Sequence, residues 1–198
     1  MSIARRNPAT YADLEAVPPN LVAEILFGTL ITHPRPTIGH GGATSALGAI
    51  ATGSYQFGNG GPGGWVFVNE PELHLGSHVV VPDIAGWRRE RFRGPSSAAF
   101  ATDAPDWICE SLSPATEKYD KGQKRMIYAE FGVGHLWFID PRVRMLECYA
   151  LTKGDWVLKG TYFDNNKICA PPFEALTFDL GLLWPFDEPS PANDQSAI

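Results

Sequence analysis

Short apolar runs, rich in aromatic and β-branched residues and cut off by glycine, proline or polar pairs, recur through most of this chain. Trp65-Val66-Phe67-Val68, Glu72 to Leu75, Val79-Val80-Val81-Pro82-Asp83-Ile84-Ala85 and Trp107-Ile108-Cys109-Glu110-Ser111-Leu112 have this form. So do Leu136-Trp137-Phe138-Ile139-Asp140-Pro141, Met145 to Leu151 and Asp155 to Tyr162. Segments this short and of this composition read as strands. Twenty glycines and seventeen prolines in 198 residues supply the turns between them and argue against a coiled coil or an all-helical bundle. With 44% hydrophobic residues, the chain has enough apolar material for one core of ordinary size.

Helical signals are fewer. Thr10, ahead of Tyr11 and Asp13-Leu14-Glu15, has the form of an N-cap on a short helix that Pro18-Pro19-Asn20 stops. Val22 to Leu30 reads as extended chain turning near Gly28. Ile38 to Thr52 places Leu47 and Ile50 at helical spacing among small residues, which suits a helix packed closely on a sheet. A further helix is expected near Lys118 to Phe131, after the break at Ser113-Pro114, with Met126, Ile127 and Phe131 as its buried stripe. Strand, helix, strand in succession puts a parallel or mixed sheet under a crossover helix. The expected class is therefore α/β or α+β, one central mixed sheet flanked by helices with additional antiparallel strands. Residues 1–188 are expected to form a single domain and 189–198 a polar tail. The glycine-rich stretch Gly58 to Gly64 leads into a strand pattern rather than G-K-[ST] and a helix, so it reads as a hairpin loop and not a phosphate cradle.

Cys109, Cys148 and Cys169 are an odd count without C-x-x-C spacing, so neither a disulfide framework nor a zinc ribbon is expected, and a reducing cytoplasm is the expected location. No stretch approaches the ~18 apolar residues of a membrane span, and Arg5-Arg6 leads into no apolar signal segment. Sixteen Lys and Arg against twenty-two Asp and Glu give a net charge of -6, which disfavours coating nucleic acid by bulk electrostatics. A local patch is needed instead. Arg88, Arg89, Arg91 and Arg93, directly after the strand that carries Asp83, are candidates for phosphate contact, the plainer reading being a solvated loop balanced by Glu90.

One carboxylate stands out. With a period of two, Glu110 shares a strand face with Ile108 and Leu112, where an unpaired charge is costly. Its partner is expected to be a cation or a metal. Asp83, after Pro82 at the end of another β-branched run, supplies a second acid, and two acids on adjacent strands suit Mg²⁺, which takes carboxylates, a carbonyl and waters. The plainer readings are a turn hydrogen bond for Asp83 and a buried salt bridge to a helix lysine for Glu110. His74 and His78 are four apart, but Gly76 and strand-like surroundings spoil a zinc motif. His40 reads as a structural histidine and Cys109 as a small buried apolar residue.

Pro82-Asp83, Glu110-Ser111-Leu112-Ser113-Pro114-Ala115-Thr116 and Tyr119-Asp120-Lys121-Gly122-Gln123-Lys124-Arg125, with Tyr128, Gly132-Val133, Trp137 and Asp140-Pro141, follow one another in a recognisable order. In that order they resemble the Uma-two-type restriction endonucleases of the PD-(D/E)XK nuclease superfamily. The resemblance runs from about Thr10 to Tyr162 and takes in Glu24-Ile25-Leu26-Phe27-Gly28 and His40. It implies a restriction-endonuclease-like core in which Asp83, Glu110 and the main-chain carbonyl of Ser111 ligate Mg²⁺ or Mn²⁺. The superfamily lysine two residues after the acid is replaced here by Leu112, so the amine is expected from the following helix, from Lys124 first and Lys121 second. On a helix Asp120, Lys124 and Tyr128 share a face, so Asp120 can hold the amine. The family's Glu-Leu-Ile-Asp-Gly-Glu segment loses two acids but keeps Glu24, expected either to join the metal shell or orient a water, or only to cap a neighbouring element. His135 stands where a Glu is common.

The resemblance thus implies an Mg²⁺-dependent endonuclease hydrolysing phosphodiester bonds in DNA, acting as a homodimer because two sites cut two strands most simply. The alternative is a non-catalytic nucleic-acid-binding or protein-interaction module that retains the fold. Asp83 and Glu110 are expected to converge at the carboxyl ends of neighbouring strands.

Overall fold

The computed structural model describes residues 7–94 and 97–186. The expected tail at 189–198 and the Arg5-Arg6 segment lie outside these residues. Thr10 opens α1 (Tyr11–Glu15) through a reciprocal box, its hydroxyl accepting from the Asp13 N–H while the Asp13 carboxylate accepts from the Thr10 N–H. A hairpin follows, β1 (Leu21–Leu26) and β2 (Thr29–Pro34), with Phe27 and Gly28 at φ of 50° and 72° in its two-residue turn. Positive φ at both positions suits the twist of the paired strands, and glycine takes the second without strain. Thr37 caps α2 (Ile38–Ala51), which runs on into a π-helical turn, Thr52–Gln56.

The chain then lays down β3 (Trp65–Asn69), β4 (Leu73–Leu75), β5 (His78–Val80), β6 (Ile84–Arg88) and β7 (Trp107–Ser111). A helical crossover of α3 (Glu117–Tyr119), a π turn (Asp120–Lys124) and α4 (Arg125–Glu130) leads to β8 (His135–Asp140). β9 (Met145–Thr152) and β10 (Asp155–Phe163) form the next hairpin, and β11 (Lys167–Ile168) pairs with β12 (Phe178–Asp179). The main sheet has six strands in the order β10-β9-β8-β7-β6-β3 and is mixed: β7 and β8, joined by the crossover, are parallel, and every other neighbour is antiparallel. A second sheet has the order β2-β1-β5-β4.

Two expectations are corrected here. Val79 to Ala85 is not one strand: β5 pairs in the four-stranded sheet and β6 in the six-stranded one, with Val81-Pro82-Asp83 as the corner between them. Proline lacks an N–H for a ladder, so the run breaks where Pro82 stands. The glycine-rich loop likewise joins the first π turn to β3 and closes no hairpin; its Gly63 N–H donates to the Ser54 carbonyl at 3.2 Å.

Both faces of the six-stranded sheet are covered. On one, Ala43 and Leu47 of α2 pack with Ile84, Trp107, Cys109 and Trp137 and with Phe173 and Trp184 of the C-terminal segment. At Gly48 an added Cβ would stand 3.4 Å from Asn69 Oδ1 and 3.8 Å from Ile84 Cδ1, ordinary contact distances that show the helix lying directly against the sheet. On the other face, Ala85, Ile108, Leu136 and Phe138 pack against Ile127 and Tyr128 of α4 and against Leu26, Leu73, Leu75 and Val80 of the smaller sheet. β7 is therefore buried on both sides, which is why its sequence reads as a continuous apolar run. Met126 does not belong to the buried stripe; it is 62% exposed, while Asp120, Lys124, Ile127 and Tyr128 face inward at helical spacing. One residue turns a helix by roughly 100°, which carries Met126 off the line that Ile127 occupies.

Gly86, in the centre of β6, has no room for a side chain: a Cβ would stand 2.8 Å from Phe67 Cε1 and 3.2 Å from Trp107 Cε3. Gly86→Ala is expected to cost about 1–3 kcal/mol in urea unfolding. Gly122→Ala, whose added Cβ meets no described atom within 4 Å, is expected to stay within about 0.5 kcal/mol of the parent or to exceed it.

Candidate active site

Asp83 lies at the amino end of β6, not at a carboxyl end as expected. Because β6 and β7 are antiparallel, with Ile84 opposite Cys109, the start of one strand meets the end of the other, and Asp83 comes beside Glu110 and Ser111. The Ser111 N–H donates to Asp83 Oδ2 at 2.7 Å, and His40 Nε2 lies 2.6 Å from Asp83 Oδ1. Glu110 is buried, and its Oε1 accepts from the Tyr128 hydroxyl and lies 2.8 Å from Lys124 Nζ in an ion pair. Among the described residues nothing hydrogen-bonds Glu110 Oε2.

Lys124 is the centre of the arrangement. Only 3% exposed, its ammonium lies 2.8 Å from Glu110, 3.2 Å from Glu24 and 3.2 Å from Asp120, and it donates to the Val81 carbonyl at 3.4 Å. Glu24 reaches it from β1, and the same Oε1 accepts the Val81 N–H at 2.7 Å. Its Oε2 lies 3.6 Å from His33 Nε2. The Asp120, Lys124, Tyr128 spacing read from the sequence thus puts Asp120 on the amine, as expected, and Tyr128 on Glu110.

Burial opposes the charge on Lys124, but Glu110, Glu24, Tyr128 and Asp120 together hold its pKa well above the ordinary value. Burial likewise opposes ionisation of Glu24, yet Lys124, His33 and the Val81 N–H bring its pKa below the usual range. Glu110 goes the other way. Burial drives its pKa well up, Lys124 only partly offsets this, and Asp120, Asp83 and Glu24 push it further. Burial raises Asp120 too, against Lys124 and a Thr116 hydrogen bond. One ammonium serves three acids in contact with it, with Asp83 nearby, and the excess of acid over amine disfavours ionisation of Glu110 and Asp120.

Lys124, Glu110 and Asp120 line a cleft of about 210 Å³ between the β2–α2 connection and the Ser113–Thr116 loop. Asp83, Glu110, Lys124, Asp120, His40 and Arg35 all face it. Lys121 does not; its ammonium sits 3.3 Å from Glu147 and 3.8 Å from Glu117, outside the cleft. Nor does the structure bring the arginine run there. Arg88 ends β6 on the side away from Asp83, five extended residues of ~3.3 Å each distant. It covers the Trp65 ring at 4.9 Å, while Arg89 donates to the Trp65 carbonyl at 3.3 Å, Arg91 pairs with Asp106 at 2.6 Å, and the Arg93 main-chain N–H donates to Asp103 at 3.0 Å. The arginine at the cleft is Arg35, between Pro34 and Pro36, and no spacing in the sequence marks it. His74 and His78 go to separate partners, Glu72 and the Phe27 N–H. Cys109 is buried, with its thiol pushed well above the usual range by desolvation.

Among the described residues no three His, Cys, Asp or Glu side chains form a ready-made metal cage. The donor chemistry nonetheless fits a hard divalent cation. Asp83 and Glu110 are oxygen donors beside each other, one Glu110 oxygen has no protein partner, and the local surplus of negative charge is what a cation neutralises. Two carboxylates and the Ser111 carbonyl with waters are the sparse oxygen set that Mg²⁺ takes.

Residues 8–181 match the model of the Uma2 family, described as "Putative restriction endonuclease". The chain belongs to the Uma2 family. A solved structure from Anabaena variabilis ATCC 29413, described as "a putative nuclease belonging to DUF820", superposes with a TM-score of 0.72 at 21% identity, covering 89% of this chain and 98% of that one. The two share a fold, a mixed sheet with few helices, as the resemblance to a nuclease core implies. Comparison with curated proteins gives no match. No helix among the described residues of this Uma2 chain is long and apolar enough to cross a membrane.

Removing the charge at 110 does not strand the ammonium, because Glu24 and Asp120 remain at 3.2 Å. A carboxyl whose folded pKa is raised contributes stability below its unfolded pKa and loses it as pH climbs through the folded value. Without divalent metal, Glu110→Gln is therefore expected to melt at or above the parent near pH 8, the difference shrinking toward about pH 4.5. Lys124→Met leaves buried acids without a partner and is expected to cost about 3–5 kcal/mol near neutral pH. Thermal melts of both variants across pH check this.

Proposed function

We propose that this Uma2 chain is a divalent-metal-dependent endonuclease that hydrolyses phosphodiester bonds in DNA. What carries the reading is the meeting of Asp83, Glu110 and Lys124 in one cleft, acid, acid and amine, in a chain of a restriction-endonuclease family. Mg²⁺ or Mn²⁺ held by Asp83, Glu110 and the Ser111 carbonyl supplies a Lewis acid for the phosphate and lowers the pKa of water. The remaining work belongs to the chain. Lys124, kept charged by the acids around it, stabilises negative charge developing on phosphate oxygens, where a fixed ammonium in a dry site acts most strongly. Glu24 and Asp120 hold that amine in place. Arg35 contacts a backbone phosphate of the bound strand at the mouth of the cleft. Two copies acting together cut both strands, which sedimentation of the active species tests.

The rival reading, a non-catalytic module, leans on the net charge of -6 and on the two acids lost from the Glu24 segment. Glu24 itself keeps its contact with Lys124, which favours the catalytic reading.

Nicking of supercoiled plasmid is the test. The parent is expected to nick only with Mg²⁺ or Mn²⁺, Asp83→Asn and Glu110→Gln to lose at least about a hundredfold, Lys124→Ala to fall similarly, and Lys121→Ala to stay near the parent. Metal-dependent nicking by Glu110→Gln at the parental rate, or none by the parent, contradicts the proposal. Mn²⁺ at about 100 times its Kd should also stabilise the parent by ~2.7 kcal/mol and leave Asp83→Asn unmoved, read by thermal melts with and without the ion.

A further inference from the structure

His40 opens α2 on the sheet face opposite α4, and none of the roles above uses it. Its imidazole is 11% exposed, and Nε2 lies 2.6 Å from Oδ1 of Asp83. Its main chain is fixed as well, since the His40 N–H donates to the Thr37 hydroxyl that caps the helix. A carboxylate only accepts, so the proton between the two groups sits on Nε2. The other ring nitrogen, Nδ1, is buried and has no hydrogen-bond partner among the described residues. A histidine retained only for packing would normally satisfy both nitrogens. This one is turned so that a single bond is made, and that bond goes to Asp83.

The geometry explains what the bond does. The terminal torsion of an aspartate is broad and nearly two-fold, so one donor alone leaves the carboxylate free to swing. Asp83 has two, and they come from different layers. The Ser111 N–H, in the sheet, takes Oδ2 at 2.7 Å, and His40, on the covering helix, takes Oδ1. With one oxygen held on each side, the plane of the carboxylate is fixed, while each oxygen keeps a lone pair for a further partner. We propose that His40 is a positioning residue whose Nε2–H sets the carboxylate of Asp83 in the orientation that receives a divalent cation. The inference rests on the reading of Asp83 as a cation ligand. It assigns His40 no contact with substrate and no proton transfer.

The experiment combines Mn²⁺ titration followed by electron paramagnetic resonance with ¹⁵N NMR of the imidazole in the unmutated, metal-free protein. NMR is expected to show Nε2 protonated. His40→Ala is expected to weaken Mn²⁺ binding by about 10–100-fold, the range typical for loss of a group that orients a ligand. His40→Gln carries an amide nitrogen at the ε position and should recover most of that affinity, whereas the shorter His40→Asn should not. A purely structural histidine predicts that both amides lose affinity alike, in step with their melting temperatures. Parental Mn²⁺ affinity in folded His40→Ala, equal loss in the two amide variants, or an unprotonated Nε2 overturns the inference. Should His40→Ala fail to fold, the two amides and the NMR measurement still decide. Asp83→Asn separates the layers of the argument. Parental Mn²⁺ binding by that variant removes Asp83 as a ligand altogether, whereas its loss alongside an unaffected His40→Ala removes only the role of His40.

Discussion

The ammonium of Lys124 ties together at one atom parts of the molecule that also meet through apolar packing. It draws Glu24 from the four-stranded sheet, Glu110 from the six-stranded sheet and Asp120 from the crossover helix to within 3.2 Å of one atom. It also donates to the carbonyl of Val81, at the corner where the chain leaves one sheet for the other, and the N–H of the same residue goes to Glu24. A lysine this deeply buried is tolerable only when several acceptors surround it. The chain supplies them from three elements, so satisfying this charge adds to the apolar packing that sets the relative placement of sheets and helix.

That dependence also explains the electrostatic character of the site. A lysine with one acid would be a neutral structural pair. With Glu24, Glu110 and Asp120 on the amine and Asp83 nearby, the cluster carries more negative charge than its ammonium neutralises, and burial sharpens the imbalance. Sites that perturb carboxyl groups in a cleft are where chemistry is usually found. The arrangement is held together by lysine and stressed by acids, and a cation at Asp83 and Glu110 would relieve the stress.

Much of this is legible in the sequence because it depends on short-range periodicity. The two-residue period of β7 marks Glu110 as an acid on an apolar face, and the four-residue period of the crossover helix groups Asp120, Lys124 and Tyr128. Residues joined by long-range topology are not legible in this way. His40 and Arg35 reach the cleft only because α2 and its approach cross the end of β6, and no local spacing records that crossing. For the same reason the arginine run does not reach the cleft: adjacency in sequence to Asp83 becomes distance along an extended strand, which carries Arg88 to the opposite end. Pro82 stands inside what reads as one apolar run, and only the pairing of β5 with β1 and of β6 with β7 reveals that it separates two sheets. The orientation of Asp83 at an amino end follows from the antiparallel pairing of β6 and β7, which composition does not specify.

The central claim is that Asp83 and Glu110 share one divalent cation beside a lysine that holds the fold together. Anomalous scattering from crystals grown with Mn²⁺ tests it most directly. The account predicts a single strong peak within about 2.0–2.3 Å of an oxygen from each carboxylate, with Lys124 still in contact with Glu24 and Asp120. An ordered, metal-saturated crystal with no peak between those two carboxylates, or with its peak elsewhere in the molecule, would contradict it.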